Sequence, residues 1–319
     1  MGITKVDLRG VEPGLPGWQE ARTAVTASLL AHGCVVVTYD AQAQEGRQAL
    51  FGRALPELFT LPLETKLRNV STMGKFRGYL GNKDAEVDNE SVSIDEPTDK
   101  GSIHGFANLF WPKGNPEFCD ITLPFAKNLL KLEQTVHRMA LEGLGVQEEN
   151  IGSHLCSLTH SLRFWHYGAP KDTVNGLSLK MHRDFNMSTL IVQHEVEGLE
   201  VQAKDGSWLS IDPEPNTFTF LAGELFTVVT NGRVPSCVHR VRTLSNRERF
   251  SMVFGCWSTV GGVVSVMDEL VDVEHPLMYN PCRADEYVEF LYSKDGLKHD
   301  DPLRAFCGVV DKGSSSSME

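Results

Sequence analysis

Apolar and polar positions alternate over residues 3–8 (ITKVDL), which predicts a short strand, and a Gly/Pro-rich loop follows over 10–17. Residues 18–32 carry Ala21, Val25, Leu29 and Leu30 at helical spacing, and 34–40 (CVVVTYD) form an apolar run of strand length. Helical spacing returns over 45–60 through Leu50, Phe51, Leu55 and Leu58, with a short turn expected from 62 to 66. Between 72 and 115 the rhythm is lost among Gly, Asp, Glu, Ser and Asn with isolated aromatics. A stretch of that length without a period predicts a functional loop. The longest helix is expected over 116–144, where Phe125, Leu129, Leu132, Val136, Met139 and Leu144 form one stripe and Gly145 is the stop. Such a stripe packs on a sheet, and no chemistry is assigned to it.

From residue 161 the period becomes two. Strand candidates occupy 161–167, 178–184, 188–194, 198–204, 217–222, 225–230, 237–243 and 249–256, punctuated by turn signals at 205–206, 222–224 and 245–248. Short strands without interleaved helices predict an α+β chain. Its core would be a cupin-like jelly roll, or double-stranded β-helix, with flanking helices and an open end that can hold a ligand between the sheets. The expected division is 1–115, a helical and strand region with a pocket loop, and 116–319, the jelly-roll core with its long helix and a C-terminal lid. A last helix is expected near 284–294, and the tail at 313–319 (GSSSSME) reads as disordered.

Candidate chemistry concentrates between 179 and 251. In an extended strand His182 and Asp184 share a face while Arg183 points away. His239 follows far enough downstream for strands to double back and bring it to the same point. Two imidazoles and one carboxylate, with other coordination positions open, suit non-haem Fe(II). Arg249 and Ser251 repeat the i, i+2 relation, so a guanidinium and a hydroxyl can meet a carboxylate, which predicts a dicarboxylate co-substrate. His299 and Asp301 repeat the His-x-Asp spacing in a charged setting (KHDDP) with no later histidine, and read as surface. Asn231 and Gly232 are expected to serve turn geometry, and Arg240, opposite in parity to His239, structural support.

Composition narrows the partners. Hydrophobic residues at 41% and charged residues at 23% describe an ordinary globular protein. A net charge of −12 repels phosphate backbones and anionic lipid, so the expected partner is a small-molecule substrate, with neither nucleic acid nor membrane. Oligomeric state stays open, a monomer being compatible. Seven scattered cysteines without a C-x-x-C pair argue against a disulfide framework or zinc knuckle and suit a reducing compartment. The start of the chain lacks the apolar core of a signal peptide and no run reaches membrane-span length, so a cytoplasmic location is expected.

The segments HRDFNMSTLIVQHEVEGLEVQAKDGSW (182–208), VVTNGRVPSCVHRVRT (228–243) and RFS (249–251) together resemble the plant Fe(II)- and 2-oxoglutarate-dependent dioxygenases. ITKVDL, LPLETK (61–66) and FRGYLG (76–81) resemble that family's N-terminal region, and QHEVEGLEVQ looks most like its glucosinolate-modifying branch. The resemblance implies that His182, Asp184 and His239 ligate iron and that Arg249 and Ser251 bind the distal carboxylate of 2-oxoglutarate. It implies further that Tyr167 approaches the co-substrate. Trp165 stands where the family commonly has Asn, so that role is lost and Trp165 is expected to shape the pocket instead. Phe76, Arg77 and Tyr79 are expected either to line the substrate pocket or to pack their loop onto the barrel, and Phe164 either to line the pocket or to sit in the core. Val253 and Gly255, sharing parity with Arg249 and Ser251, are expected to border it. The implied cofactors are Fe(II), 2-oxoglutarate and O2, with ascorbate as a candidate reductant. The implied reaction is hydroxylation, desaturation or dealkylation of a small plant specialised metabolite, with release of succinate and CO2. Oxidation of a plant hormone, an auxin or a gibberellin, and a catalytically inactive jelly-roll binding protein stand as alternatives.

Overall fold

The alternating segments of the second half fold into two facing sheets, seen in a computed structural model that describes residues 2–74, 76–82, 89–170 and 174–310. With strands numbered in chain order, the larger sheet runs β1 (Lys5–Asp7), β2 (Cys34–Thr38), β10 (Thr217–Ala222), β7 (Ser188–Gln193), β12 (Arg249–Ser258), β5 (Leu158–Tyr167), β4 (Asn89–Asp95), β3 (Leu80–Asn82). The smaller runs β6 (Leu177–His182), β11 (His239–Arg242), β8 (Leu199–Gln202), β9 (Trp208–Ser210). Only β1 and β2 pair in parallel; every other ladder in the two sheets is antiparallel. β13 (Val263–Val264) and β14 (Cys282–Arg283) make a small separate ladder. This is the jelly-roll core with flanking helices that the period-two pattern predicts.

Strand parity separates two environments. Along β5 and β12, Leu162, Phe164, Met252 and Phe254 enter the core beneath the helices, whereas Arg163, Trp165, Tyr167, Arg249 and Ser251 face the smaller sheet. Burying each large apolar side chain of this kind contributes roughly 1.5–3 kcal/mol. The helical layer is led by α6 (Pro116–Gly143), whose stripe of Phe125, Leu129, Leu132 and Val136 is fully buried and whose start is capped by Asn115 Oδ1, accepting from the Phe118 amide at 3.0 Å. α1 (Trp18–His32) packs on α6 and stops at Gly33, which takes a left-handed φ of 64°. Between the sheets a second apolar cluster, including Cys34, Ile191, Leu199, Val201 and Leu221, fills the space beside the cavity described below.

Several expectations are corrected. The run 225–230 is a helix, α8 (Glu224–Val229), with every residue buried; a continuous apolar run carries no period that distinguishes a strand from a helix packed on all sides. The stretch 72–115 contains β3, β4 and α5 (Lys100–Phe110). β4 escapes notice because its alternation is short, Val92 and Ile94 between Ser91, Ser93 and Asp95 in a polar stretch, and α5 is capped by Asp99, whose Oδ2 accepts from the Ser102 amide at 2.8 Å. The helix expected over 45–60 is α2 (Gln44–Ala49), a π-helical turn at Leu50–Ala54 and α3 (Leu55–Thr60). α4 (Leu63–Lys66), α7 (Glu148–Cys156), α9 (Ala284–Leu291) and α10 (Pro302–Cys307) complete the set. Asn231 and Gly232 take φ of 51° and 77°, as a turn requires. Asp301 caps α10, and His299 is exposed. The tail at 313–319 lies outside the described residues. Among the described residues no helix is long and apolar enough to cross a membrane.

Candidate active site

His182 closes β6 and His239 opens β11, and the two are register partners. Asp184 lies beyond the end of β6, so the turn after the strand, and not strand parity alone, carries its carboxylate back to the imidazoles. The ring centroids are 4.2 Å apart, and Asp184 Oδ1 lies 3.6 Å from His182 Nε2 and 3.9 Å from His239 Nε2. One donor atom from each residue fits within 4.8 Å of the others.

The surroundings aim these atoms. His182 Nδ1 lies 2.9 Å from the Lys180 carbonyl and His239 Nδ1 3.2 Å from the Cys237 carbonyl. A carbonyl can only accept, so each Nδ1 carries a proton and each Nε2 is the atom turned to the centre. Thr189 Oγ1 donates to Asp184 Oδ2 at 2.6 Å and accepts from Asn186 Nδ2 at 2.9 Å, which leaves Oδ1 free. Burial works to raise the Asp184 carboxyl, but His239, His182 and Thr189 outweigh it and hold the group well below the usual carboxylate range. Burial, with His182 beside it, lowers His239 to about 4. Near neutral pH the centre therefore offers a carboxylate and, at His239, a neutral imidazole; burial works against charge on His182, but Asp184 beside it outweighs burial and raises that group, so a metal binding there displaces a proton.

Arg249 starts β12 opposite Tyr167 and is 1% exposed. Its Nη1 donates to Ser251 Oγ at 3.1 Å and its Nη2 to Gln193 Oε1 at 3.0 Å, while Nε has no partner. Its guanidinium carbon lies 5.2 Å over the Tyr167 ring. Gln193 is itself fixed, donating to the Ile211 carbonyl at 2.7 Å. Gly198, at φ 154°, passes so close that a Cβ there would lie 3.2 Å from Arg249 Nε. Among the described residues no carboxylate pairs with this guanidinium, and an unpaired buried charge costs several kcal/mol. The arrangement suits an incoming carboxylate.

A cavity of about 330 Å³ joins the two clusters and is lined by His182, Asp184, His239, Arg249, Ser251 and Tyr167. Phe76, Trp165, Val253 and Gly255 also line it. Three of the expected residues lie off this cavity. Phe164 is on the opposite face of β5, fully buried against Phe106 and Phe118. Tyr79 lies off the cavity, with its hydroxyl donating to Glu90 at 3.1 Å. Arg77 pairs with Asp95 at 3.0 Å, stacks 4.8 Å from the Trp257 ring and lines a neighbouring cavity of about 250 Å³. Sequence reasoning missed Gln193, Thr189, Arg163, Phe185, Trp257 and Tyr292. Arg163 could have been found from parity, two residues before Trp165; Tyr292 carries no local signal, because the fold alone brings it to the cavity. Arg240, as expected, is structural: it pairs with Glu200 at 2.5 Å and lies 3.9 Å over Trp208.

Comparison with known proteins matches this geometry. Residues 156–257 fit the family model of the 2OG-Fe(II) oxygenase superfamily. The probable 2-oxoglutarate-dependent dioxygenases AOP1.2 and AOP1 of Arabidopsis thaliana are each 30% identical to the chain, over 93% of it and 92% of their own length. The chain belongs to the 2-oxoglutarate-dependent dioxygenases. The dioxygenase is thus an oxidoreductase that uses Fe(II), 2-oxoglutarate and O2 on a small-molecule substrate. Its fold is shared with the rice dioxygenase for auxin oxidation, at a TM-score of 0.79, 23% identity, and coverage of 96% of this chain and 99% of the rice protein. JOX2, solved in complex with 2OG, Fe and JA, is similar at a TM-score of 0.77 and 22% identity, covering 96% of this chain and 89% of that one.

Proposed function

We propose that His182, Asp184 and His239 ligate the iron, that Arg249 and Ser251 take the distal carboxylate of 2-oxoglutarate with Tyr167 packed on the guanidinium, and that the substrate is a small specialised metabolite. When bound, Fe(II) supplies the oxidising chemistry that couples loss of CO2 from 2-oxoglutarate, giving succinate, to oxidation of a substrate C–H bond. Around it the chain's own residues orient and enclose. Thr189 holds one oxygen of Asp184, the Lys180 and Cys237 carbonyls hold the imidazole rings, and Gln193 holds Arg249. Trp165, Phe185 and Trp257 wall the space where a substrate would lie. Hydroxylation, desaturation and dealkylation all follow from this chemistry, and ascorbate is the reductant that would keep the iron ferrous.

The observation that carries this reading is the buried Arg249 guanidinium without a counter-ion, opening into the same cavity as two imidazoles and a carboxylate. A second reading, oxidation of an auxin-like hormone, uses the same chemistry and is favoured by the aromatic walls together with the fold shared with the rice enzyme. Residues 1–115 would support the core and supply a cavity wall through Phe76, and residues 116–319 would carry the catalytic jelly roll. The seven free thiols and the net charge of −12 support a cytosolic enzyme without nucleic-acid or membrane partners.

The deciding experiment loads Fe(II) and 2-oxoglutarate anaerobically, admits air, and follows succinate release against a panel of small metabolites in native protein, His182→Ala and Arg249→Ala. Turnover stimulated by a panel member and lost in both variants supports the assignment. Failure of the native chain to bind Fe(II) or 2-oxoglutarate would sink it and favour an inactive binding protein.

A further inference from the structure

Arg249 is not the only buried cation in the active-site cavity. Arg163 is 9% exposed and lies on the same face of β5 as Trp165 and Tyr167. Its Nη1 donates to the Gly78 carbonyl at 3.1 Å and to Ser91 Oγ at 2.7 Å, and its Nη2 to the Phe76 carbonyl. These acceptors are all neutral. A guanidinium carries five N–H groups, so two remain without an acceptor among the described residues. The nearby Asp95 is engaged by Arg77 at 3.0 Å and by Ser71, so that pair cancels and the charge of Arg163 is left over. Burial pulls Arg163 down to about 10, and it stays charged at neutral pH.

Strand register places the two cations at a definite separation. Arg249 is opposite Tyr167 and Val253 is opposite Arg163, so the backbones that carry the two guanidiniums stand four positions apart along one ladder, roughly 13 Å at 3.3 Å per residue. Around them the cavity wall carries the aromatic side chains Trp165, Phe76, Phe185, Trp257 and Tyr292. A single dicarboxylate co-substrate held at Arg249 and at the metal does not account for a second unneutralised cation in the same cavity.

We infer that Arg163 receives a carboxylate of the primary substrate, which is therefore a small carboxylic acid with an aromatic or aliphatic body. This rests on the proposed function, since it takes the Arg249 end as the 2-oxoglutarate site. The unused N–H groups of Arg163 suit a planar carboxylate, which a guanidinium binds through parallel hydrogen bonds. The acid group pins one end of the molecule, and the aromatic walls hold its body between Arg163 and the metal ligands. Arg163 is in this role a specificity-determining residue. It would not be replaceable by lysine without loss, because an ammonium cannot keep the Phe76, Gly78 and Ser91 bonds and a bidentate carboxylate at once.

The test is isothermal titration of the native chain, loaded anaerobically with Fe(II) and 2-oxoglutarate, with phenylacetate, 4-phenylbutyrate and octanoate and with the amide of each. At least one acid is expected to bind about tenfold or more tightly than its amide, the gain of a charge-assisted hydrogen bond. Arg163→Gln should bring that ratio to about one while 2-oxoglutarate affinity stays within about twofold. Arg163 also holds the Phe76 and Gly78 carbonyls, so a second variant leaves it in place. Val253→Asp puts a carboxylate on its register partner and should abolish the preference by neutralising the guanidinium internally. If no acid binds more tightly than its amide, or if the preference survives in either variant, the inference is overturned. That result with 2-oxoglutarate bound counts against this inference alone, whereas failure to bind 2-oxoglutarate counts against the proposed function.

Discussion

Tyr167 and Arg249 face one another in register across β5 and β12, with the guanidinium carbon 5.2 Å from the centre of the phenol ring. The ring covers one side of a cation whose in-plane donors reach Ser251 and Gln193. Arg249→Ala is expected to weaken 2-oxoglutarate binding by about 2–5 kcal/mol, thirtyfold or more. Tyr167→Leu should cost only about 1 kcal/mol, the scale of a cation–π contact. Burial pushes the Tyr167 hydroxyl up to about 12, so it is neutral through the working range and its contribution should not vary with pH from 6 to 9. Anaerobic 2-oxoglutarate titrations of the three proteins measure both effects.

Thr189 decides which oxygen of Asp184 is free. In Thr189→Val the 2.6 Å hydrogen bond to Oδ2 is lost and the carboxylate can rotate. Fe(II) affinity is expected to fall about 10- to 100-fold, the usual cost of removing a partner that orients a ligand. Competition with a calibrated chelator gives that number. An affinity unchanged from the native value would show that the turn after β6 holds Asp184 unaided.

A second polar cluster lies between α6 and the larger sheet, on the face of that sheet opposite the cavity. Glu133, fully buried, sits 2.9 Å from His137 Nε2, accepts from Ser188 at 3.0 Å and lies 3.5 Å from His160. Burial alone would raise its carboxyl, but His137 and His160 hold it well below its ordinary value of 4.5. A carboxyl depressed in the folded state stabilises above its unfolded pKa, and that stabilisation fades as pH falls below about 4.5. Glu133→Gln should therefore cost about 3–5 kcal/mol at pH 7, with the gap to native protein narrowing as pH falls through 4. Urea unfolding at a series of pH values follows the gap. A constant gap would mean that the carboxylate charge is not what the cluster uses.

Gly255 leaves room for an indole. A Cβ at this position would stand 2.8 Å from Trp257 Nε1 and 3.3 Å from Ser161 Oγ, and Trp257 Nε1 donates to that same Oγ at 2.9 Å. Gly255→Ala should push the indole off Ser161 and lower kcat/KM for substrate by about tenfold, a loss of about 1.4 kcal/mol. Succinate formation without substrate should change by less than about twofold, because the nearest neighbours of a Cβ at 255 are Trp257 and Ser161 and not the metal ligands or Arg249. Steady-state kinetics with and without substrate separates the two.

What the chain declares by itself is local. His182 with Asp184, and Arg249 with Ser251, are legible because two-residue spacing in extended chain gives one shared direction, and because these donor types together suit few other tasks. The stripe of α6 is legible from the period that one buried face imposes, and the strands β5, β7, β10 and β12 from their strand-length runs bounded by turn residues. Where an element is buried all round the period vanishes and α8 reads as a strand, while the alternation of β4, with only Val92 and Ile94 between Ser91, Ser93 and Asp95, is too short to stand out from the polar stretch around it. Tertiary structure also decided which parity of β5 meets the cavity, sending Phe164 into the helical core and Arg163 to the site. Alternation shows that neighbours part ways, and not which side will be covered by helices. Whether Arg163 and Arg249 meet a carboxylate depends on side chains brought in from distant strands, so their unneutralised charge appears only once the chain is folded.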